Sequence, residues 1–335
     1  MVVPRKVATL PRGKEKKLIK SISSLKSSAV LGWVKRLKKQ YPLAEVYLVG
    51  GAVRDIILNI SDIKDYDFVV RGISGKSLQE FLERSGWVEL LGKNFGVYKF
   101  RPHNLPKDFE PLDVALPRSE ISATPGSYRA FKVKFNKDLN LEQDLLRRDF
   151  TINAIALRVD DKFKMIDPFN GVDDIAKKNI RCVGKAQDRL AEDYTRILRA
   201  VRFACQLNFK IAPEVKKVIK KLAPYLNDRV KSATRHSKNK PGDWVSPREV
   251  IAKEFLKAFY FDHLQAIQLY DQLGLFKILM PEILNMKKCP QPKKYHTEGD
   301  VWTHTILALK NLESNKFKKF SAQVDKLLEI RNKKL

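Results

Sequence analysis

Asp65 and Asp67 stand two residues apart in "DYDFVV". A β-strand carries residues i and i+2 on one face, about 6 to 7 Å apart. Two carboxylates held together on a rigid strand repel unless a cation comes between them. Mg²⁺ suits such a place, because it takes one or two carboxylates together with substrate phosphates. Asp113 in "PLDVAL" can supply a third carboxylate from a neighbouring strand. Three carboxylates around two ions about 3.5 to 4 Å apart serve in-line phosphoryl or nucleotidyl transfer. An Asp-x-Asp by itself is more often an exposed strand end. Just upstream, "YLVGGAVRD" sets Gly50 and Gly51 after a strand and ahead of a helix. Backbone N–H groups and the helix dipole can face a triphosphate there. Bare glycines let phosphates come close, and Arg54, one turn in, can add a charge-assisted contact.

The elements that must position these groups can be read from pattern. "SSAVLGWVKRLKKQYP" is an amphipathic helix ended by Pro42. "EVYLV" is a strand, "AVRDIILN" a helix and "DYDFVV" a second strand. "SLQEFLERSG" has a helical period and closes on Gly86; "VELLG", "GVYKFRP" and "PLDVAL" read as strands. Pro117–Ala130, rich in Ser, Pro and Gly, reads as a mobile loop, and "FKVKF" alternates as a half-buried strand does. "LEQDLLRRDFTINAIALRV" is a helix with a following turn or strand, and "DPFNGVDDI" a loop entering a short helix. Beyond it the apolar period is helical almost to the end. "SPREVIAKEF" reads as a capping box, Ser246 to Glu249, with Pro247 at the first helical position.

Charge is the strongest compositional signal. The 335 residues carry a formal charge of +27, and residues 1–40 hold 12 Lys/Arg against Glu15 alone. Further basic runs lie at Arg229–Lys240, at Lys287–Lys294 and near the C-terminus. Each run singly is a solvated surface; together they point to a polyanion, most simply nucleic acid. Three scattered cysteines without a Cys-x-x-Cys argue against a disulfide framework or a zinc site, and for a reducing, cytoplasmic setting. No run approaches the roughly 18 to 20 apolar residues of a membrane span.

The full set of motifs resembles the class II tRNA nucleotidyltransferases (CCA-adding enzymes) and bacterial poly(A) polymerases. "GGAVRD…DYD", "RRDFTINAIA", "DPFNGVDDIAKKNIRCVG" and "EDYTRILRAVRF" follow in that family's order, with "VSPREVIAKEFLKAF" and "YHTEGDVWTHTILAL" resembling its later segments. The resemblance covers about Tyr47 to Leu309. It implies an α+β fold: a polymerase β-like nucleotidyltransferase head with a mixed sheet and helices, then an all-α neck and body. The implied division is a basic arm at 1–27, a catalytic head at 28–165, a base-recognising neck at 166–226 and an RNA-binding body at 227–335. The implied reaction is template-independent addition of CMP and AMP, from CTP and ATP, to the 3′ end of tRNA, releasing pyrophosphate. CC-adding, A-adding and poly(A)-polymerase activities are its near alternatives, and a catalytically impaired RNA-binding protein the alternative of another class.

By the same resemblance Asp65 and Asp67 hold Mg²⁺, with Asp113 as a third catalytic carboxylate. Gly50, Gly51 and Arg54 meet the nucleotide phosphates. Arg148 and Asp149 address the ribose, where a helix-terminal ion pair is the plain alternative. Asp193 and Arg196 read the base, and Arg199 and Arg202 support that pocket or bind phosphate. The partners implied are the tRNA acceptor arm, CTP and ATP, and no membrane. Base reading has a physical logic: Asp193 and Arg196, i and i+3, are neighbours on one helix face. Arg only donates and ionised Asp only accepts. Cytosine and adenine offer an amino donor beside a ring-nitrogen acceptor; uracil and guanine offer the reverse and leave buried groups unpaired. A Glu192–Arg196 surface pair is the alternative use of that arginine.

Two departures stand out. The loop before "RRDFTINA" has Tyr128 and Ala130 where relatives often carry His and Asp, although Arg118, Glu120 and Arg129 are present. "YHTEGDVWTHTILAL" resembles the start of an HD phosphohydrolase, with His304 as a first ligand. No His-Asp dipeptide follows, so a structural or vestigial His304 is expected.

Overall fold

The computed structural model describes Leu25 and residues 28–312, apart from Ser61, Lys64 and residues 91–95, 123–125, 129–130, 160–162 and 232–239. The basic arm (Leu25 excepted), Arg129, Ala130, most of the Arg229–Lys240 run and the C-terminal basic stretch lie outside the described residues.

A seven-stranded mixed sheet carries the first half. Its strands are β1 (Glu45–Val49), β2 (Asp67–Arg71), β3 (Gly86–Leu90), β4 (Val97–Pro102), β5 (Leu112–Ala115), β8 (Ala156–Arg158) and β9 (Met165–Ile166). They lie in the order β3-β4-β5-β2-β1-β8-β9. Only β2 and β5 pair in parallel among these strands. Both faces of the sheet are covered, so its central strands are apolar on both sides. Val46, Leu48, Phe68 and Val70 join the larger core, while Tyr47, Val49 and Val69 pack with Leu141, Leu145 and Val183 on the other face. Helix α1 (Gly32–Gln40) closes the larger core with Trp33, whose ring meets Phe68 and Phe100 edge-on at 5.4 and 5.7 Å.

Helix α2 (Gly51–Leu58) leaves β1 through Gly50, and α3 (Gly75–Ser85) is N-capped by Ser74. Helix α4 (Leu141–Leu146) precedes a 3₁₀ turn at Thr151–Asn153. Then come α5 (Gly171–Ala176), α6 (Ala186–Glu192), α7 (Thr195–Leu207) and α8 (Pro213–Leu222). Helices α9 (Arg248–Phe261), α10 (His263–Gln272), α11 (Leu275–Leu279) and α12 (Val301–Leu312) follow. Ile197, Leu198, Val201, Ala204 and Cys205 give α7 a buried stripe at helical spacing, and α7 packs along α9. Among the described residues no helix is long and apolar enough to cross a membrane.

Three sequence expectations need correction. Within the Pro117–Ala130 loop, Arg118–Ser122 forms a strand, β6, that pairs antiparallel with β7 (Phe131–Phe135) from Arg118↔Phe135 to Ser122↔Phe131. Its polar composition hid a strand that "FKVKF" recruits as a hairpin partner. The capping box is not formed: α9 begins at Arg248, extended Pro247 stands at the cap, and fully buried Ser246 makes no cap bond. The residue before a proline is disfavoured in helical backbone, so the helix starts after Pro247. Asp193 is not on a helix face with Arg196 but in extended backbone between α6 and α7.

Candidate active site

Sheet register builds the carboxylate cluster. Val49 pairs with Asp67, and Asp67 pairs with Asp113, so the end of β1 and the two acids line up across three strands. Strand β2 starts at Asp67, so Asp65 lies just before it, exposed, with its charge still acting on Asp67. The Asp113 N–H donates to Tyr66 O at 2.9 Å, which extends the β2–β5 alignment toward Asp65. Burial pushes the Asp67 carboxyl above the usual carboxylate range, and Asp113 and Asp65 push it further, against the charges of Arg148 and Lys99. Lys99 on β4 meets Asp113 at 2.7 Å. A cluster whose central acid resists ionisation, with one lysine to balance it, fits a divalent cation held by carboxylates.

That fit has a sign. The raised carboxyl of Asp67 keeps its proton in the folded chain at pH values where the unfolded chain has lost it, so stability falls as pH rises through that window. A divalent cation should reverse the loss by binding the ionised form, releasing a proton as it does so. Calorimetric Mg²⁺ titrations at mildly acidic pH, in two buffers of different ionisation enthalpy, should therefore differ in apparent heat; equal heats would mean that no carboxylate here is protonated.

The glycine turn and the arginines converge on the same point. Gly50 sits at φ +75°, a conformation glycine adopts at little cost. A Cβ there would come within 2.9 Å of Arg148 Nη1 and 3.3 Å of Asp67 Oδ2. Gly50, Asp67 and Arg148 thus share one small space, which a side chain at 50 would fill. Gly51 opens α2 with Arg54 beside it. Arg54 is buried, though, and already bonded: Nε to Asp55 at 2.8 Å and Nη1 to Asn153 Oδ1 at 2.9 Å. Arg148 reaches Asn153 O at 3.4 Å and Asp144 at 3.8 Å.

Asp149 is the best-satisfied acid of the region. Arg199 grips its Oδ2 with Nε and Nη2 at 2.8 and 2.6 Å, while Asn153 Nδ2 and Phe150 N donate to Oδ1 at 3.2 and 2.8 Å. Burial opposes its charge, but Arg199, Arg196 and the hydrogen bonds outweigh burial and hold the carboxyl well below the usual range. Arg199 therefore serves Asp149, and Arg202 serves Glu254 at 2.6 Å; both already have carboxylate partners.

Asp193 caps α7, accepting from Thr195 N at 2.9 Å and from its hydroxyl at 2.7 Å. Burial pushes its carboxyl upward against these donors and Arg196. The Glu192–Arg196 pair is formed at 2.7 Å, and Arg196 also donates to the carbonyl oxygens of Arg189 and Arg147. Asp193 and Arg196 are both 7% exposed, which is the degree of desolvation a hydrogen-bond reader needs. The preceding loop docks beside them: Gly126 N donates to Ala191 O at 2.7 Å, and Tyr194 N to Gly126 O at 3.0 Å. Gly126, at φ +74°, lies so close to the Tyr194 ring that a Cβ would overlap it.

Three participants escaped the sequence reading. Asn153 ties Arg54 to Asp149. Phe203 lies under three guanidinium groups, those of Arg54 and Arg199 at 5.4 Å and Arg202 at 4.0 Å from its centroid. Lys99 was only part of a strand. For Phe203 a signal existed, since arginines one turn apart precede an aromatic in "RAVRF". Away from this site, His296, Glu298 and His304 gather their ligand atoms within 4.8 Å of one another, with His296 Nδ1 3.1 Å from Glu298. His304 is thus bonded to a local carboxylate.

Comparison with known proteins places this geometry. Residues 46–181 match the Poly A polymerase head domain. The chain is 36% identical over 268 residues to a "Multifunctional CCA protein" of Mannheimia succiniciproducens, covering 79% of this chain and 56% of that protein. It thus spans a little over half the length of that relative. Among solved structures, a Thermotoga maritima CCA-adding enzyme complexed with tRNA aligns with TM-score 0.57 and 25% identity, over 80% of this chain and 55% of that one. A Bacillus stearothermophilus CCA-adding enzyme in complex with CTP aligns with TM-score 0.55 and 28% identity, over 73% and 52%. The expected fold class holds: a nucleotidyltransferase head on a mixed sheet, followed by helices.

Proposed function

We propose that the chain transfers CMP and AMP from CTP and ATP to the 3′ end of tRNA without a nucleic-acid template, a reading supported by the match of residues 46–181 to the Poly A polymerase head domain. The observation that carries this reading is the register Val49–Asp67–Asp113, which sets a glycine turn, an ion-demanding pair of acids and Arg148 around one point. We take 28–165 as the head, 166–226 as the neck and 227 onward as the body.

Asp65 and Asp67 would hold Mg²⁺, which when bound polarises the α-phosphate and neutralises the charge that develops there. The turn at Gly50–Gly51 leaves room for the triphosphate at the N-terminus of α2. Arg148 is placed to bind a phosphate or ribose oxygen beside Asp67. Asp113, paired with Lys99 at 2.7 Å, takes up or orients the proton of the RNA 3′-hydroxyl as that oxygen attacks the α-phosphorus and the bond to the leaving pyrophosphate breaks. Asp193 and Arg196 read the base edge, Asp193 accepting from the exocyclic amine and Arg196 donating to the ring nitrogen. With both groups desolvated, U and G leave them unpaired, which is where selectivity arises. Arg199 acts through Asp149, holding it ionised as an acceptor for a ribose hydroxyl.

The test uses tRNAs ending before CCA, after C and after CC, each offered one labelled nucleotide at a time. Addition of C, C and then A, with no U or G, is the expected result. Long A tails on any RNA would overturn it in favour of a poly(A) polymerase, and bound but unextended tRNA in favour of a binding protein.

A further inference from the structure

Arginines around the candidate active site are matched by carboxylates: Arg54 by Asp55, Arg147 by Glu120, Arg189 and Arg196 by Glu192, Arg199 by Asp149 and Arg202 by Glu254. Arg229 and Arg248 are not. Their guanidinium carbons lie 3.6 and 3.7 Å from the ring centroid of Trp244. Two planar groups at that height above one centroid cannot share a face, so the indole is clasped between them. The clasp is built by a short backbone clip. Arg229 bridges Trp244 antiparallel, Val230 N donates to Asp243 O at 2.8 Å, and Val245 N donates to Asp228 O at 2.9 Å. Each arginine has one donor fixed on neutral oxygen, Arg229 Nη1 on Gly242 O at 2.7 Å and Arg248 Nη1 on Asn227 Oδ1 at 2.8 Å. Asn227 is itself tied to Ile278 O.

Among the described residues no carboxylate comes within ion-pair distance of either guanidinium. Asp243, within the clip, accepts at Oδ2 from Lys240 N instead. Two like charges are therefore held on one indole, the Arg248 guanidinium disfavoured first by burial and then by Arg229. Stacking of each cation on the indole is favourable, and the mutual repulsion of the two works against it. An anion with several acceptors, bound at the free edges of both planes, removes the repulsion and engages a fork geometry that suits phosphate.

We propose that Arg229 and Arg248, clasping Trp244, form a phosphate-binding site for the RNA backbone, separate from the catalytic head. The occupant rests on the reading above that this chain acts on RNA; the clip's position fits it. Val245 O, one residue beyond Trp244, accepts from Tyr128 N at 3.0 Å, and Tyr128 belongs to the loop that docks beside Asp193. The site thus adjoins the head loop that docks beside Asp193 and Arg196, so phosphate bound there lies on the same side of the chain as the base-reading pair.

The experiment measures affinity for a labelled tRNA with a 3′-deoxy end, which cannot be extended, from 50 to 300 mM salt, for the wild-type chain, Arg229→Ala, Arg229→Lys and Arg248→Gln. Arg229→Ala and Arg248→Gln should each weaken binding roughly fivefold at 150 mM and lower the magnitude of the log–log salt slope by about one. Arg229→Lys should keep the slope. CTP affinity should be unchanged in all three variants. An unchanged slope in both charge-removing variants, with a lowered melting temperature, would overturn the proposal and leave the clasp a packing device. A reduced slope in a chain that extends no tRNA would uphold the clasp while the transfer reaction fails.

Discussion

Asp67→Ala should lower nucleotidyl transfer by at least about 10³-fold, while tRNA affinity stays within about twofold of wild type. Asp67 is the acid on which Val49, Asp113 and Arg148 converge, and it is penalised for its charge when no cation is present. A metal-bound phosphoryl oxygen contributes several kcal/mol of transition-state stabilisation, and each 1.36 kcal/mol is tenfold in rate. Removing the carboxylate should also relieve the penalty, so the variant should melt no lower than the wild-type chain without Mg²⁺ and should gain less from added Mg²⁺. Single-turnover transfer at saturating CTP, paired with melting curves with and without Mg²⁺, checks both. A variant that keeps a tenth of the activity would show that the reaction is carried elsewhere.

Arg199→Met should cost about 3 kcal/mol of stability at pH 7, the low end for breaking a buried pair, because the arginine's own edge is in contact with solvent. Asp149 is left 8% exposed with Asn153 Nδ2 and a backbone N–H as its remaining hydrogen-bond donors. The pH dependence follows from the direction of its shift. Its carboxyl is depressed in the folded chain, so the stabilisation is complete above the unfolded value near 4 and is lost as pH falls towards the folded one. Wild type and variant should therefore differ most in urea midpoint at neutral pH and draw together in acid. A gap that persists unchanged below about pH 3 would assign the effect to packing against Phe203 instead of charge.

Much of the head was legible because its strands alternate or run apolar between Gly and Pro, and because "GGAVRD" and "DYD" need only local backbone to be placed. Asp113 was found because strand spacing put a third acid in reach. The parts that were missed depend on contacts distant in sequence. Lys99 acquires meaning only when β4 pairs with β5, and Phe203 only when α7 is laid under Arg54. Asp193 and Arg196 were named correctly as neighbours, on the wrong premise. A helix break, set by the Asp193–Thr195 cap, separates them from one continuous face, and spacing cannot report such a break. Arg54 and Arg199 show a further limit, since a sequence identifies a cation without revealing which acid has already engaged it.

One consequence follows from the parallel pairing of β2 with β5. Parallel neighbours cannot be joined by a hairpin, and here the intervening chain must first lay down α3, β3 and β4 before Asp67 and Asp113 can meet. The antiparallel contacts on either side are between nearer neighbours in sequence, except where β8 closes on β1. Contacts that close long loops form late, after the entropy of closure has been met. The acids are thus kept apart through the early stages of folding, and their repulsion enters only when most of the sheet is present to hold them. Chain topology thus sets the least comfortable juxtaposition in the head after its nearer-neighbour pairings, with the β1–β8 closure spanning still more chain.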